Sequence, residues 1–140
     1  NLKLIDEMGL VENSASTGTY LLEQLTAAFG DHPNVAQVRG EGLICAIEFA
    51  ETKSPLGFFD PAKKAGYAIS AAMASRNVIA RAMPQGDILG FAPPFCLTRD
   101  EADQVVAATV RAVHAGHGGA MAAAPGATRS AASASLTTFL

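Results

Sequence analysis

The sequence has few of the residues that build metal, redox or nucleic-acid sites. Its 140 residues include two cysteines and three histidines, and no Cys-x-x-Cys motif occurs. A zinc site or redox pair is therefore not expected, and Cys45 and Cys96 are predicted to be reduced thiols in the core. Ten basic residues stand against 13 acidic ones, and this net charge of -3 offers no basic surface for nucleic acid.

Long apolar runs and targeting signals are also missing. No segment approaches the ~20 apolar residues that cross a bilayer, so no membrane association is expected. The N-terminus, "NLKLIDEMGL", has no initiator methionine and lacks the basic and apolar regions of a secretory signal. We therefore expect a cytoplasmic chain that begins inside a longer protein.

The composition that remains predicts one globular domain with a low-complexity tail. Hydrophobic residues make up 49 % of the chain and charged residues 16 %. Residues 1–30 are predicted to be a helical lead-in and residues 31–116 an α+β domain. Residues 117–140 consist mainly of Ala, Gly, Ser and Thr, which offer too little apolar surface to offset the entropy of ordering. They are predicted to form a disordered tail.

Apolar periodicity and turn residues predict three main helices and two pairs of strands. A short helix ends near Gly9, and a longer one from about Val11 ends at Gly30. Runs of strands that alternate with helices are typical of an α+β fold with a small, mainly antiparallel sheet covered by helices. The predicted elements that follow are strands on either side of a turn at 39–42, a loop at 53–59, a helix from Asp60-Pro61 to about Ser75, strands at 78–80 and 87–91, and a helix that starts at the Thr98–Glu101 capping box and ends at Gly116.

Few side chains in this pattern suit catalysis. A lysine that forms a Schiff base must be desolvated, but Lys3, Lys53, Lys63 and Lys64 all lie in polar or helix-start contexts. Gly40-x-Gly42 precedes a strand rather than a helix, which favours a hairpin turn with positive φ over a phosphate-binding loop. We therefore predict no catalytic, cofactor-binding or metal-binding residue within this chain.

Arg81 is the one candidate binding residue. It follows the predicted strand 78–80 and precedes the turn-forming run "AMPQGD", so its side chain is expected where the chain leaves the sheet. Arginine can hold a carboxylate through two parallel hydrogen bonds. From these residues alone, an exposed structural arginine is the favoured interpretation and a carboxylate-binding arginine is the alternative.

Three segments resemble the C-terminal part of the class III aminotransferases, which depend on pyridoxal 5'-phosphate (PLP). They are "GLVENSASTGTYLLEQL", "HPNVAQVRGEGLICAIEF" and "NVIARAMPQGDILGFAPPFCLTRDEAD". The resemblance covers about residues 1–115 and is greatest to the transaminases that act on omega-amino acids or amines with pyruvate.

The resemblance implies a fold-type I homodimer, in which this chain is the small domain beside an active site shared with a large domain. It also implies that the arginine at the position of Arg81 holds the substrate carboxylate and swings aside for an apolar amine. Gly86 and Asp87 are expected to shape the strand entry without a catalytic role, and Arg39 is expected to be structural.

The resemblance also places the cofactor lysine and most of the phosphate site upstream of Asn1. The isolated chain is therefore expected to be inactive. The functional hypothesis is a portion of an enzyme that moves an amino group from an amine or omega-amino acid to pyruvate or a similar keto acid. The alternatives are a non-catalytic α+β binding module, a truncated gene product, and a related aminomutase or decarboxylase.

Overall fold

The structure is a computed structural model that describes residues 2–84 and 87–116. The predicted tail 117–140 and the role expected of Gly86 lie outside these residues. Within them, no helix combines the length and the hydropathy needed to span a membrane. The elements are α1 Leu2–Glu7, α2 Leu10–Phe29, β1 Val35–Glu41, β2 Ile44–Phe49, β3 Thr52–Lys53, β4 Leu56–Gly57, a 3-10 turn Pro61–Lys63, α3 Ala65–Ala74, β5 Arg81–Ala82, β6 Ile88–Phe91 and α4 Arg99–Gly116.

Four strands form one antiparallel sheet in the order β1-β2-β6-β5. The predicted mainly antiparallel α+β fold is therefore confirmed, with β2 in the centre as its apolar run indicated. Successive side chains of a strand point to opposite faces. One face of the sheet points toward the helices, and its buried side chains on the two central strands are Cys45, Ile47, Phe49, Leu89 and Phe91.

The three long helices cover that single face. Helix α2 packs on β1 and β2, α3 packs on β5 and β6, and α4 packs against both α2 and α3. Each helix contributes side chains four or seven residues apart, and burial of one large aliphatic or aromatic side chain stabilises the fold by about 1.5–3 kcal/mol. These buried residues are Leu21, Leu25 and Phe29 of α2, Ala65, Ile69 and Met73 of α3, and Ala102, Thr109 and Val113 of α4.

The turn between β1 and β2 is shorter than the sequence predicted. Arg39, Gly40 and Glu41 belong to β1, and only Gly42 and Leu43 form the turn. Gly42 has the positive φ of 53° that was expected in this segment. Gly40 pairs with Cys45 within β1, and a side chain is excluded there because a Cβ would lie 2.7 Å from the Ile44 carbonyl oxygen and 2.8 Å from the Cys45 sulfur. The prediction of a turn at 39–42 is therefore wrong in its first three residues.

Gly18 sets the distance between α2 and this turn. A Cβ on Gly18 would lie 2.1 Å from the Gly42 carbonyl oxygen and 2.2 Å from its carbonyl carbon. Only a residue without a side chain lets the helix come so close to the hairpin. The glycine weakens the helix locally by about 1 kcal/mol relative to alanine, but it allows α2 to pack directly on the turn.

The segment from residue 53 to residue 65 differs in detail from the prediction. The predicted loop at 53–59 overlaps the short hairpin β3–β4, which begins one residue earlier at Thr52. Asp60 acts as a cap by accepting a 2.9 Å hydrogen bond from the Ala62 amide, but it opens the 3-10 turn rather than α3. Lys64 then adopts the left-handed region with φ 47°, which interrupts the helix, so α3 starts only at Ala65.

Helix α4 begins with the predicted capping box. The Thr98 amide donates to the Glu101 carboxylate at 2.8 Å, and the Glu101 amide donates to the Thr98 hydroxyl at 3.3 Å. The hydrogen bond from the Thr98 amide, followed by that from its hydroxyl, lowers the pKa of Glu101. Both capping residues thus have the partners that the sequence pattern indicated.

The segment that leads into α4 corrects the prediction for one of the cysteines. The Asn13 side chain on α2 donates to the carbonyls of Phe95 and Leu97, at 2.6 and 3.0 Å. This arrangement buries Leu97 but leaves Cys96 exposed, so the prediction that both thiols lie in the core is wrong for Cys96. Cys45 is buried as predicted, and burial raises the pKa of its thiol.

Candidate functional site

Arg81 lies within strand β5, not after a strand at 78–80. The amide of Val78 donates to the Met73 carbonyl at the end of α3, which keeps residues 78–80 outside the sheet ladder. The Ser70 hydroxyl donates to the Ala80 carbonyl at 2.6 Å, so that group is satisfied by a side chain before β5 begins. The predicted strand at 78–80 is therefore wrong, and strand pairing starts at Arg81 itself.

The Arg81 side chain belongs to the face of the sheet that the helices leave uncovered. Arg81 pairs with Gly90 of β6, while the next residue, Ala82, pairs with the fully buried Leu89. Because side chains alternate along a strand, Arg81 must point away from the core. Its position at the exposed edge strand is consistent with a side chain that meets another molecule.

Small residues lie beside Arg81 on this uncovered face. The strand register places four residues side by side in one row across the sheet, in the order Arg81, Gly90, Ala46 and Arg39. At ~4.8 Å between neighbouring strands, the Cα atoms of the two arginines are about 14 Å apart. A Cβ at Gly90 would lie 2.7 Å from the terminal methyl of Met83, which therefore lies over that glycine. Gly90 thus makes room for Met83 directly next to the arginine.

The two arginines at the ends of this row differ in their partners. Arg39 donates to the Glu48 carboxylate at 2.6 Å and to the Gln37 side chain at 3.1 Å, so it has the structural role expected for it. Arg81 is exposed, and no described residue accepts a hydrogen bond from its guanidinium or forms an ion pair with it. Its donors are available to a ligand in a way that those of Arg39 are not.

Asp87 anchors the chain where β6 begins. Its carboxylate accepts a 2.9 Å hydrogen bond from the Gly66 amide in the first turn of α3. Its backbone carbonyl accepts a 2.8 Å hydrogen bond from the Phe49 amide at the end of β2. The family resemblance implied that Asp87 shapes the strand entry, but the sequence gave no signal for the contact with α3, since Gly66 and Asp87 are 21 positions apart.

A cleft of about 290 Å³ opens beside the loop that follows Arg81. Three of its seven lining residues are aromatic, and one lysine and one aspartate also line it. Arg81 is not among the residues that line it. The lining residues are Phe58, Phe59, Pro61, Lys64, Tyr67, Pro84 and Asp87.

The lysines of this chain do not suit a covalently bound carbonyl cofactor. All four are exposed, whereas a Schiff-base lysine needs a desolvated amine. Lys53 donates to the Gly30 carbonyl at 2.8 Å, and Lys63 pairs with Glu51 at 2.6 Å. In the described part of the chain, no cluster of three or more His, Cys, Asp or Glu side chains is placed to hold a metal ion.

Comparison with known proteins gives one consistent family. The family model for aminotransferase class-III matches residues 1–113. The diaminobutyrate–2-oxoglutarate transaminase of Halomonas elongata is 54% identical over 114 residues, which are 81% of this chain and 24% of that protein.

Solved structures of transaminases share the fold. One comes from the directed evolution of transaminases by ancestral reconstruction, with a TM-score of 0.83 and 47% identity over 84% of this chain and 26% of its own. The omega transaminase of Pseudomonas jessenii in complex with PMP gives a TM-score of 0.79 and 32% identity over 86% of this chain and 26% of its own. The chain thus spans about a quarter of the length of the proteins that it matches.

Proposed function

This chain belongs to the class III aminotransferases, a family of PLP-dependent enzymes, and on that premise we propose that it forms the small domain of an aminotransferase in which Arg81 binds a substrate carboxylate. The observation that carries the proposal is the exposed Arg81 guanidinium, which stands on the uncovered face of the sheet and has no partner among the described residues.

The chemistry of arginine supports this role. A guanidinium matches a carboxylate with two parallel hydrogen bonds and keeps its charge at all physiological pH values. A hydrogen bond to a charged group contributes about 1.5–3 kcal/mol. Loss of the Arg81 pair should therefore cost about 3 kcal/mol, or roughly 100-fold in kcat/KM, for substrates that use it.

The proposed reaction moves an amino group from an amine or omega-amino acid to pyruvate or a similar keto acid. The name of the Halomonas elongata relative points to diaminobutyrate as donor and 2-oxoglutarate as acceptor, and both molecules carry a carboxylate. These two compounds, together with pyruvate, are the first substrates to test. An amine without a carboxylate serves as the contrasting donor.

The exposure of all four lysines supports the expectation that the lysine for the cofactor's covalent attachment lies outside this chain. In the family, PLP supplies the electron sink for the reaction. We therefore propose that the isolated 140-residue chain is inactive and that its contribution to the complete enzyme is substrate binding. Added PLP should give no absorption band of a protein-bound aldimine with this chain alone.

We also propose that the complete enzyme is a homodimer with its active site at the subunit interface. Exposed apolar side chains support an interface near the β1–β2 turn and the β3–β4 hairpin. Ile44 is 69% exposed, Leu56 56% and Phe58 57%. Burial of such side chains in an assembly would stabilise it by about 25 cal/mol per Å².

The test uses a complete enzyme that contains residues 1–114. Its source is the natural reading frame upstream of Asn1 or, failing that, a chimera in which these residues replace the matching segment of the Halomonas elongata transaminase. Because every keto acid acceptor carries a carboxylate, the donor half-reaction is measured by itself, through the absorbance of bound PLP.

Arg81→Ala should lower kcat/KM for an omega-amino acid roughly 100-fold and leave that for a simple apolar amine within about twofold. Arg111→Ala, which removes an exposed arginine on α4, is the matched control and should change neither value. Equal losses for both donors in Arg81→Ala would refute the carboxylate-binding role. A complete enzyme without transaminase activity would favour the non-catalytic alternative.

A further inference from the structure

Helix α3 contacts the β5–β6 hairpin at two points, one on each side of Arg81. The Ser70 hydroxyl donates to the carbonyl of Ala80, the residue directly before Arg81, at 2.6 Å. The Gly66 amide donates to the Asp87 carboxylate, directly before β6, at 2.9 Å. A Cβ at Gly66 would lie 3.5 Å from the Asp87 Cα, so position 66 faces Asp87, and Ser70, one turn further along, lies on the same face of α3.

These contacts compensate for the small size of the strand that carries the arginine. β5 has only two residues, Arg81 and Ala82, and a pair of such short strands has little stability of its own. One more hydrogen bond, from the Met83 amide to the Ile88 carbonyl at 2.9 Å, continues the pairing into the loop. The backbone of Arg81 therefore depends on contacts outside β5 for its position.

The two contacts act on the backbone from the helix side, whereas the Arg81 side chain points to the opposite face. Asp87 also ties the hairpin to the centre of the sheet, through the 2.8 Å bond from the Phe49 amide to its carbonyl. In addition, it supplies a carboxylate to the N-terminus of α3, where the preceding residue, Lys64, makes no side-chain cap. The contacts thus hold the strand from the helix side, and they do not engage the guanidinium on the opposite face.

We propose that Ser70 and Asp87 are positioning residues for Arg81, and that together they set the selectivity for substrates with a carboxylate. The inference rests on the proposed function of Arg81. Without these contacts, the position of β5, and with it that of the Arg81 guanidinium, would vary. Two parallel hydrogen bonds to one carboxylate require a defined position, so such variation would weaken carboxylate binding. A donor without a carboxylate does not use Arg81, so its reaction does not depend on where β5 lies.

The experiment compares Ser70→Ala and Asp87→Ala in the complete enzyme, with the donor half-reaction as the assay. We expect KM for an omega-amino acid to rise roughly tenfold with little change in kcat, since a displaced binding group weakens binding. KM for an apolar amine should stay within about twofold. Asp87→Asn keeps an acceptor for the Gly66 amide and should restore most of the lost selectivity.

Two matched controls separate positioning from general damage to the fold. Ser75→Ala removes a hydroxyl at the other end of α3, where it donates to the Ala72 carbonyl at 2.8 Å. Asp60→Ala removes a carboxylate that caps the 3-10 turn through the Ala62 amide at 2.9 Å. Both variants lose the same chemical groups away from Arg81, and both should keep the selectivity of the unaltered enzyme.

The outcomes distinguish the inference from the function on which it rests. If Arg81→Ala itself leaves selectivity unchanged, the proposed function fails and the positioning role fails with it. If Arg81→Ala loses selectivity while Ser70→Ala and Asp87→Ala weaken both donors equally, only the positioning role is overturned. Should Asp87→Ala not fold, the Ser70→Ala pair with its Ser75→Ala control decides the question alone.

Discussion

Replacement of Gly18 by alanine should destabilise this protein, although the same change stabilises most helices. Within α2, alanine is favoured over glycine by about 1 kcal/mol because it restricts the unfolded chain and adds no strain. A Cβ added at position 18, however, would lie 2.1 Å from the Gly42 carbonyl oxygen, 2.2 Å from its carbonyl carbon and 2.8 Å from its Cα. All three atoms are backbone, so no side chain can rotate away.

Relief of this overlap requires α2 and the β1–β2 turn to separate by about 1.1–1.4 Å, since a methyl carbon and a carbonyl oxygen touch at roughly 3.2–3.5 Å and the Cβ would lie 2.1 Å from that oxygen. Such separation loosens the packing of Leu21 and Leu25 in the core. Overpacking typically costs about 1–3 kcal/mol, and a clash with backbone belongs at the upper end. Alanine's higher helix propensity offsets about 1 kcal/mol of this cost, so we expect the free energy of unfolding to fall by about 2 kcal/mol.

The assay is urea unfolding of the 140-residue chain followed by circular dichroism. A loss of about 2 kcal/mol corresponds to a midpoint lower by roughly 1 M urea. Gly66→Ala is the matched control, because its Cβ would meet its nearest neighbour, the Asp87 Cα, at an ordinary 3.5 Å. That variant should be as stable as the unaltered chain or more so. If Gly18→Ala is equally stable, the close packing of α2 on the turn is refuted.

Two further predictions concern the capping box and the thiols. In urea unfolding, Thr98→Ala should destabilise the chain more at pH 7 than at a pH low enough to protonate Glu101. Hydrogen bonds from Thr98 lower the pKa of Glu101 in the folded state, and stability linked to a lowered pKa is lost as pH falls through that value. An equal loss at both pH values would contradict this. In a native thiol titration with Ellman's reagent, the exposed Cys96 should react and Cys45 should not, because Cys45 is buried and its burial raises the pKa of the thiol. Cys96→Ser should then show no reactive thiol until denaturant is added.

The sequence predicted the fold well where the signal was local. The Thr98–Glu101 capping box and the stripe Ala65, Ile69 and Met73 rest on spacings within one helix, and the structure has both. The central position of β2 followed from its continuous apolar run. These features need no knowledge of what the segment packs against.

Errors arose where a distant contact decides the local structure. A strand at 78–80 agreed with β propensity, but the Ala80 carbonyl accepts from Ser70 and the ladder begins one residue later. Gly40 and Gly42 look alike in sequence, yet only Gly42 has a positive φ, while Gly40 is needed for close approach to β2. In the same way, composition could not show that Cys96 lies on the surface.

The candidate site was located from sequence, but its geometry was not. Arg81 stood out by its place before a turn, and the resemblance to a family gave it a role. That its side chain points away from the helices follows only from the pairing of Ala82 with Leu89. Ser70 contacts Ala80, 10 positions away, and Asp87 contacts Gly66, 21 positions away. No sequence pattern predicts either contact.

The central claim is that Arg81 binds a carboxylate, and the most direct test measures that binding without any reaction. A short aliphatic carboxylic acid, which lacks the amino group, is titrated into the complete enzyme by isothermal calorimetry. Arg81→Ala should weaken its binding roughly 100-fold, from the loss of about 3 kcal/mol, while Arg111→Ala should leave Kd unchanged. If Arg81→Ala and the unaltered enzyme bind the acid with the same Kd, Arg81 does not hold the substrate carboxylate.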